Sequence, residues 1–352
     1  MITELRNLPA PAKLNLFLHV TGRRDDGYHL LETAFELIDL CDSIDLLRRA
    51  DNRIELASPI KGIDPHTNLV LRAAHALRRF AGTSAGVTIG LRKVIPMGGG
   101  LGGGSSDAAT VLLGLNRLWE MNLSLSQLAE IGLTLGADVP VFVWGRSALG
   151  TGIGEQLRAI ELPIRQYLVL QPPVSVPTER IFNAPELTRN SKPLKIEGFS
   201  RNSPSNNHCV ALSSSPGTRS AMTVSRTSSI GRAVTRGRND LQAVAEQLYP
   251  PVRFALETLR RSVRAVGMDA GQVRMSGSGA CIFVPIEGPA LAQAIRDRMS
   301  SESVRAGFGQ YGKGQSWVVN SLPCHPLHRG EESSSSENDQ AKTVTEQEAI
   351  IE

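Results

Sequence analysis

A run of eleven residues in the first third of the chain has the composition of an anion-binding loop. It holds six glycines and ends in two serines: Pro96, Met97, Gly98, Gly99, Gly100, Leu101, Gly102, Gly103, Gly104, Ser105 and Ser106. Residues 87–95 before it alternate like a strand, and apolar residues at helical spacing follow it. Glycines let several backbone N–H groups converge on one anion, and a helix N-terminus adds positive potential. The run therefore predicts a phosphate-binding loop that opens onto a helix capped by Ser105 or Ser106.

Two common phosphate loops do not fit this run. A Walker loop needs a Lys directly before its Ser or Thr, whereas Gly104 precedes Ser105. The pattern G-x-G-x-x-G of dinucleotide-binding folds does occur, but the acidic residue at the expected spacing, Glu120, falls at the end of the same predicted helix and not after a second strand. A flexible glycine linker would not be fixed between a strand and an apolar-faced helix. A third kind of phosphate loop remains.

Asp138 is the acidic residue best suited to act on a hydroxyl group beside such a phosphate. Gly136 before it indicates the end of a helix, and the apolar run 139–144 after it is predicted to be a strand that would hold it rigidly. In phosphoryl transfer the protein mainly positions groups and neutralises charge, and a carboxylate near the acceptor hydroxyl suits that task. The local sequence alone leaves open whether Asp138 is catalytic or caps the following turn.

Four further segments give the chain a family resemblance. The run 96–106 resembles the nucleotide loop of the GHMP kinases (galactokinase, homoserine kinase, mevalonate kinase and relatives). Residues 11–18 with Gly27-Tyr28-His29, residues 136–142 around Asp138, the run Ser276-Gly277-Ser278-Gly279-Ala280-Cys281 and the ending Pro326-Leu327-His328-Arg329 resemble motifs of one branch of that family. The resemblance covers residues 1–200 and 239–329. It departs from the usual pattern where Ser276 and Ser278 stand in place of Thr, a change that keeps both hydroxyl groups.

The resemblance and the element pattern agree on an α+β fold. Predicted strands arrive in clusters and do not alternate strictly with helices, which favours α+β over a doubly wound parallel sheet. The resemblance implies a two-domain GHMP kinase fold, with an N-terminal domain like ribosomal protein S5 domain 2 over residues 1–160 and a ferredoxin-like C-terminal domain over residues 161–329. The active site is expected in the cleft between them. Predicted strands lie at 12–20, 43–47, 87–95, 139–144 and 167–170, and predicted helices at 68–80, 106–119, 126–135, 240–248 and 251–266.

The branch implied by the resemblance phosphorylates a cytidine diphosphate derivative of methylerythritol. The implied reaction is ATP-dependent phosphorylation of the 2-hydroxyl of 4-diphosphocytidyl-2-C-methyl-D-erythritol, in the methylerythritol phosphate pathway of isoprenoid biosynthesis. By the same resemblance Lys13 is the catalytic partner of Asp138, and adenine lies near Asn68 and Lys93. The implied substrate contacts are Asn15, Tyr28, His29, Asp138, Thr178 and Phe182, of which the aromatic rings could stack on cytosine. Two alternatives stay open: another small-molecule GHMP kinase, of homoserine or mevalonate type, and a nucleotide-binding relative without catalysis.

A magnesium ion is expected with the ATP. The sequence has no evident carboxylate cage, and Mg²⁺ held mainly by nucleotide oxygens needs only one or two protein ligands. The hydroxyl of Ser105 or Ser106 could supply one ligand. Asp107 is a competing candidate, although acidic residues in a first helical turn are common because of the helix dipole.

Composition agrees with a two-domain enzyme acting on a small molecule. The 352 residues exceed the roughly 250 to 300 at which a single core stops growing. No run has the roughly 18 apolar residues of a membrane span, so we expect a cytoplasmic protein without a membrane partner. The four cysteines are widely spaced, which argues against a zinc site or a disulfide framework. Net charge +4 and 5% aromatic residues do not indicate nucleic-acid binding. A monomer or weak homodimer is expected.

Two segments fall outside the enzymatic pattern. Residues 201–238 are rich in Ser, Thr, Asn, Pro and Gly, with six arginines and no acidic residue, and are predicted to be a disordered insertion. A basic partner-binding segment is the alternative. Residues 330–352, with seven acidic residues and one lysine, are predicted to be a disordered acidic tail.

Overall fold

The computed structural model describes residues 2–60, 62, 64, 67–194, 222–223, 229–300, 314–328 and 349–350. Its strands are β1 (Glu4–Arg23), β2 (His29–Arg49), β3 (Ile54–Leu56), β4 (Gly86–Arg92), β5 (Ala148–Thr151), β6 (Gln156–Glu161), β7 (Gln166–Gln171), β8 (Met222–Thr223), β9 (Arg274–Met275), β10 (Ile282–Ile286), β11 (Gln315–Asn320) and β12 (Ala349–Ile350). Its α-helices are α1 (Leu69–Phe80), α2 (Gly103–Leu118), α3 (Leu125–Leu133), α4 (Val139–Trp144), α5 (Thr178–Phe182), α6 (Ser229–Arg236), α7 (Gln242–Leu248), α8 (Pro250–Ala265) and α9 (Pro289–Met299). Short 3₁₀ turns lie at Ala270–Gln272 and Pro326–His328.

The N-terminal part is a mixed sheet covered by helices. Its strand order is β3-β4-β2-β5-β6-β8, and β1 pairs antiparallel with β2 along nearly their whole length. Helix α1 buries Val70, Ala73, Ala74 and Leu77, which follow the i, i+3, i+4, i+7 spacing of one helix face. Those side chains join apolar residues of α2, α3, α4 and β2 in one continuous core. The sheet and its helices therefore hold the N-terminal end of α2, into which the glycine run leads, in a fixed position.

A second sheet forms the C-terminal part. Its strand order is β12-β11-β7-β10-β9, and all of its pairings are antiparallel. The chain passes from the first sheet to the second between Glu161 and Gln166. Helices α7, α8 and α9 share a core with β7 and β10, and a further core joins β1 and β2 to β7 and β10. The two sheets are thus packed against each other through β1 and β2, the strands that also carry Lys13 and His29.

Most predicted elements are confirmed, but the predicted strand at 139–144 is wrong. Those residues form helix α4, which has Pro140 in its first turn and ends at Gly145 with φ +70°. A short apolar run has the same appearance as a buried strand or a buried helix, so periodicity alone cannot separate them. Proline in a first helical turn and glycine in the left-handed conformation just after a helix were the available signals for the helix.

The predicted insertion at 201–238 differs from the structure at its C-terminal end. Helix α6 occupies residues 229–236, and Ala233 and Val234 are buried against the rest of the protein. The backbone N–H of Leu18 donates to Arg238 O at 3.1 Å, which fixes this segment to β1. Ile230, Ala233 and Val234 have helical spacing that the surrounding Ser and Arg residues obscure. Residues 201–221 and 224–228 lie outside the described part of the chain.

The predicted tail at 330–352 also differs at one point. Ala349–Ile350 forms β12, which pairs antiparallel with β11 at Gln315 and Ser316. Residues 330–348 and 351–352 lie outside the described residues.

A buried carboxyl group lies between the two sheets. Glu36 on β2 accepts a hydrogen bond from the hydroxyl of Tyr167 on β7, and both side chains are buried. Burial raises the pKa of Glu36 from 4.5 to about 7, although Tyr167, Arg165 and Arg274 act in the opposite direction. The folded state therefore holds this proton more tightly than the unfolded chain does.

Replacing Glu36 with Gln should make the protein more stable at alkaline pH. Between pH 4.5 and about 7 the native state binds more protons than the unfolded state, so this group reduces stability as pH rises. The pKa difference corresponds to about 3 kcal/mol. We expect the free energy of unfolding of Glu36→Gln, relative to that of wild type, to be higher at pH 8 than at pH 4.5 by up to that amount. Urea unfolding of both proteins at both pH values measures this difference. Exposed Glu257→Gln is the control, and an equal difference at both pH values would contradict the prediction.

Candidate active site

The glycine run forms a tight loop that ends in a helix. Gly98, Gly100 and Gly102 have φ of +66°, +73° and +74°, a region open to glycine but costly for other residues. Helix α2 begins at Gly103, and its N-cap is Gly102 without a capping side chain among the described residues. The prediction of a serine cap is therefore wrong. Ser105 and Ser106 lie inside the first turn. Because the first backbone N–H groups of a helix have no intrahelical acceptor and Gly102 supplies no capping side chain, those of α2 are available to an anion.

The loop is held by hydrogen bonds from the run 276–281. The backbone N–H groups of Ala280 and Cys281 donate to Gly98 O and Gly99 O at 3.1 and 3.0 Å. The hydroxyl of Ser276 donates to Gly100 O at 3.0 Å and accepts from the backbone N–H of Asn15 at 3.2 Å. These bonds connect the glycine run, the first strand and a segment from the C-terminal half of the chain. Serine retains the hydroxyl this connection needs.

Lys13 and Asp138 lie together beside the loop. The distance from Lys13 Nζ to Asp138 Oδ2 is 3.6 Å, with side-chain exposures of 4% and 36%. Lys13 follows an irregularity in the β1–β2 pairing, and its backbone N–H donates to Leu101 O at 3.0 Å. A local shift in strand pairing re-aims side chains, and here it places the lysine against the loop.

The surroundings of Lys13 hold its ammonium in one place. Its Nζ also donates to Asn15 Oδ1, and Asn15 Nδ2 in turn donates to Thr33 Oγ1 at 2.9 Å. Burial lowers the pKa of Lys13, while the carboxylate of Asp138 opposes that shift. Asp138 makes no capping hydrogen bond to α4 within the described part of the chain. The capping alternative left open by the sequence is therefore not what the side chain does, and its carboxylate faces the lysine.

Lys93 and Leu69, the residue after Asn68, lie close to the start of α2, but Asn68 and Lys93 have different surroundings. Asn68 is the N-cap of α1, where Oδ1 accepts from Val70 N at 2.9 Å; its buried Nδ2 has no partner among the described residues. Lys93 Nζ donates to Asp107 Oδ2 at 2.6 Å and also to Asp42. Burial lowers the pKa of Lys93, but the two carboxylates outweigh it and the net shift is upward. The ammonium of Lys93 is thus ion-paired with both Asp42 and Asp107.

The predicted substrate residues fall into two groups. His29 and Phe182 are in ring contact, with centroids 5.0 Å apart and an interplanar angle of 34°. Thr178 lies near the start of the same short helix as Phe182, and its Oγ1 is 2.8 Å from Ser278 Oγ. Tyr28 is 58% exposed and precedes His29 at the end of the β1–β2 hairpin. Asn15 belongs instead to the Lys13 cluster.

Three residues that hydrogen-bond to predicted site residues or to the segments beside them escaped sequence reasoning. Arg189 Nε donates to His29 Nε2 at 3.0 Å, across 160 residues of chain. Asn239 Nδ2 donates to Met275 O and Gly277 O and so holds the run 276–281. Asp42 accepts from Lys93 and from the backbone N–H groups of Val94 and Ile95 just before the loop. Each contact joins distant parts of the chain, so no local pattern indicated it.

Comparison with known proteins identifies the family. Residues 68–146 match the family model of the GHMP kinases N terminal domain, and residues 218–305 match that of the GHMP kinases C terminal. A protein of Janthinobacterium sp. (strain Marseille) named 4-diphosphocytidyl-2-C-methyl-D-erythritol kinase is 44% identical over 332 residues, or 93% of this chain and 98% of that protein. The chain belongs to the GHMP kinase family. It is a small-molecule kinase that uses ATP, and its α+β fold of two GHMP domains is confirmed.

Other relatives of this GHMP kinase agree. A protein of the same name from Ralstonia nicotianae (strain ATCC BAA-1114 / GMI1000) is 46% identical over 300 residues, covering 85% of this chain and 92% of that one. A crystal structure of 4-(cytidine 5'-diphospho)-2C-methyl-D-erythritol kinase superposes with TM-score 0.62 at 33% identity, covering 90% of this chain and 98% of that chain. The C-terminal match begins at residue 218, inside the predicted insertion at 201–238. Helix α6, at residues 229–236, likewise shows that the end of this segment belongs to the folded part of the chain. None of the helices in the described part of this GHMP kinase has both the length and the apolar composition of a membrane span.

Replacing Gly100 with Ala should disrupt nucleotide binding. A Cβ there would lie 2.1 Å from Ser276 O at a φ of +73°, so the loop and the run 276–281 would have to separate. We expect KM for ATP to rise about 100-fold or more, because a small displacement of positioning groups is costly. Gly82→Ala is a matched control, since Gly82 has a φ of +64° but nothing within 4 Å of its Cβ position. A similar KM in both variants, measured by ADP release, would contradict the role of the loop.

Proposed function

We propose that this GHMP kinase transfers the γ-phosphoryl group of ATP to the 2-hydroxyl of 4-diphosphocytidyl-2-C-methyl-D-erythritol, in the methylerythritol phosphate pathway of isoprenoid biosynthesis. The observation that carries the chemistry is the Lys13–Asp138 ion pair, 3.6 Å across and set against the glycine loop. The choice of substrate is supported by the names of relatives at 44% and 46% identity.

In this proposal Asp138 orients the acceptor hydroxyl and takes its proton. The hydroxyl oxygen forms a bond to the γ-phosphorus, and ADP leaves with the electrons of the bond to the bridging oxygen. Lys13 stabilises negative charge on the acceptor oxygen and on the transferring group. Its ammonium is buried and bonded to Asn15, so little reorganisation is needed when charge develops. Asp138, at 36% exposure, remains open to a bound alcohol.

ATP is proposed to bind along the glycine loop, with its phosphates at the first turn of α2. The Nδ2 of Asn68 has no partner in the described part of the chain, and it is a donor that an adenine nitrogen would satisfy. Lys93, by contrast, is engaged by Asp42 and Asp107, so we propose that it shapes the adenine pocket through this cluster.

The residues present fit a magnesium ion held mainly by nucleotide oxygens. Ser106 Oγ is buried without a partner among the described residues, and Ser105 lies on the same turn. The described chain has no group of three or more His, Cys, Asp or Glu side chains that could hold a metal ion. We propose Ser105 or Ser106 as the protein ligand. A bound Mg²⁺ would neutralise phosphate charge. Asp107 is the competing candidate: its Oδ2 is paired with Lys93, whereas its Oδ1 is buried without a partner among the described residues.

The nucleobase is proposed to bind at the aromatic cluster of Tyr28, His29 and Phe182, with Thr178 and Asn15 as polar neighbours of the ribose, diphosphate or alcohol. Aromatic faces stack on bases, and a ring nitrogen of His29 can hydrogen-bond to one. A kinase acting on homoserine or mevalonate would have no base to place there. A non-catalytic relative would not need the Lys13–Asp138 pair.

The experiment is a substrate comparison. ADP release is measured with ATP and Mg²⁺ on four alcohols: the cytidyl substrate, free methylerythritol phosphate, homoserine and mevalonate. We expect turnover of the cytidyl compound alone. Turnover of homoserine or mevalonate would overturn the substrate assignment, and no turnover of any alcohol would support the non-catalytic alternative.

A further inference from the structure

Arg189 connects two members of the aromatic cluster, His29 and Phe182, through hydrogen bonds. It lies after α5 and makes four hydrogen bonds through three nitrogen atoms. Nε donates to His29 Nε2 at 3.0 Å, and Nη1 donates to Leu187 O at 3.0 Å. Nη2 donates to Phe182 O at 2.9 Å and to Ala184 O at 2.7 Å. One guanidinium therefore fixes both the residue that follows the β1–β2 turn and the end of the helix that carries Phe182.

The first of these bonds determines where the proton of His29 sits. An arginine guanidinium has five N–H donors, no acceptor, and does not lose its proton in proteins. Nε2 of His29 must therefore accept, which requires a neutral imidazole with its hydrogen on Nδ1. Burial lowers the pKa of His29, and the positive charges of Arg189 and Arg23 lower it further. These effects all favour the same neutral ring.

The geometry points to Arg189 as a positioning residue of the base site, one that holds His29 as the Nδ1–H tautomer so that the ring offers the nucleobase a donor. This inference rests on the proposed function. Arg189 acts through His29 and Phe182 and need not touch the substrate itself. One of its bonds orients the His29 ring, and the other three hold the backbone from Phe182 to Leu187, before any ligand arrives.

Ring spacing limits how a base can bind here. The centroids of His29 and Phe182 are 5.0 Å apart, whereas a base inserted between two rings needs about 7 Å, twice the usual contact distance of about 3.5 Å. The base must therefore stack on an outer face of Phe182 or meet the edge of the His29 ring. Because Nε2 is occupied by Arg189, Nδ1–H is the polar group of the ring left for a ligand.

A donor at this place discriminates between pyrimidines. Cytosine presents acceptors at N3 and O2, whereas uracil presents a hydrogen at N3. A fixed donor facing N3 therefore satisfies cytosine and leaves uracil with two opposed donors. A buried polar group without a partner is costly, which is the usual origin of such selectivity. Freed from Arg189, the imidazole could change tautomer and turn an acceptor toward the base.

The test uses Arg189→Met and the matched control Arg180→Met. Methionine keeps an unbranched apolar stem but removes every donor. Arg180 lies on α5 and is exposed, with its guanidinium 5.4 Å from the centre of the Tyr249 ring and no part in the aromatic cluster. We expect Arg189→Met to raise KM for the cytidyl substrate about 10- to 100-fold, with kcat and KM for ATP within about 3-fold of wild type. The preference for the cytidyl substrate over its uridyl analogue should fall about 10-fold.

A second measurement separates positioning from a merely structural role. Nitrogen-15 NMR of histidine-labelled protein, with His29→Gln to assign the signal, reports which ring nitrogen carries the hydrogen. We expect a protonated Nδ1 and an unprotonated Nε2 in wild type and in Arg180→Met, and appearance of the Nε2–H form in Arg189→Met. The same tautomer in wild type and Arg189→Met, or an unchanged KM in Arg189→Met, would overturn the inference. If wild type fails to phosphorylate the cytidyl compound, the proposed function is wrong, and the tautomer measurement alone decides the role of Arg189.

Discussion

Asp138→Asn should lower kcat about 10³-fold, with KM for ATP close to that of wild type. The amide has the size of the carboxylate but neither accepts a proton nor carries charge beside Lys13. The side chain is 36% exposed and makes no capping bond in the described structure, so its loss should not disturb α4. Single-turnover kinetics with saturating ATP would isolate the chemical step.

The control for this variant is Asp297→Asn, which removes an exposed carboxylate on α9 far along the chain from the site. It should leave kcat unchanged. A kcat for Asp138→Asn within about 10-fold of wild type would show that another group takes the proton, because general-base catalysis contributes at least about 10²-fold.

Lys13→Met should lower kcat about 10²- to 10³-fold without loss of the fold. Removing one partner of a buried ion pair leaves the other uncompensated, which costs about 3–5 kcal/mol when both groups are buried. Asp138 is 36% exposed and can be solvated, so we expect the free energy of unfolding to fall by less than that, by about 1–3 kcal/mol. Arginine should not rescue activity. Its larger head group would meet Asn15, Asp138 and the loop at Gly102, whose Cβ position is 3.2 Å from Lys13 Cε.

The pH dependence of kcat gives a second test of Lys13. Burial lowers the pKa of its ammonium below 10.5, so wild-type activity should decline as pH rises through that lowered pKa. Removing Asp138 takes away the charge that opposes the shift, so the residual activity of Asp138→Asn should decline at a lower pH. Lys192→Met, at an exposed position, should keep wild-type activity and the wild-type profile. A Lys13→Met enzyme with wild-type kcat would contradict the assignment.

The sequence predicted the parts of this molecule that depend on local pattern. The glycine run, the strand before it and the helix after it are contiguous in sequence, so the conformation of each could be predicted from its own residue types. Helix α1 could be predicted equally well, since its apolar spacing and the cap at Asn68 are both local signals. The resemblance placed Lys13 and Asp138 together, and the structure has them 3.6 Å apart. Their catalytic roles stay predictions.

The errors have identifiable physical causes. The run 139–144 is apolar throughout, so burial on all sides removed the periodicity that distinguishes a helix from a strand. Helix α2 begins at Gly103 because Gly102 adopts a left-handed conformation that ends the loop, and this makes a serine cap unnecessary. Arg189 could not be found at all, since its contact with His29 exists only after the two halves of the chain have packed.

The most direct test of the central claim is to locate the phosphate in the product by ³¹P NMR. Wild-type enzyme is incubated with ATP, Mg²⁺ and 4-diphosphocytidyl-2-C-methyl-D-erythritol. We predict stoichiometric ADP and a new phosphomonoester signal without three-bond coupling to a proton, because carbon 2 of methylerythritol carries a methyl group and no hydrogen. The same mixture with Asp138→Asn should stay unchanged over the same time. A new signal split by a neighbouring proton would place the phosphate on another hydroxyl, and absence of product with wild-type enzyme would contradict the proposed function outright.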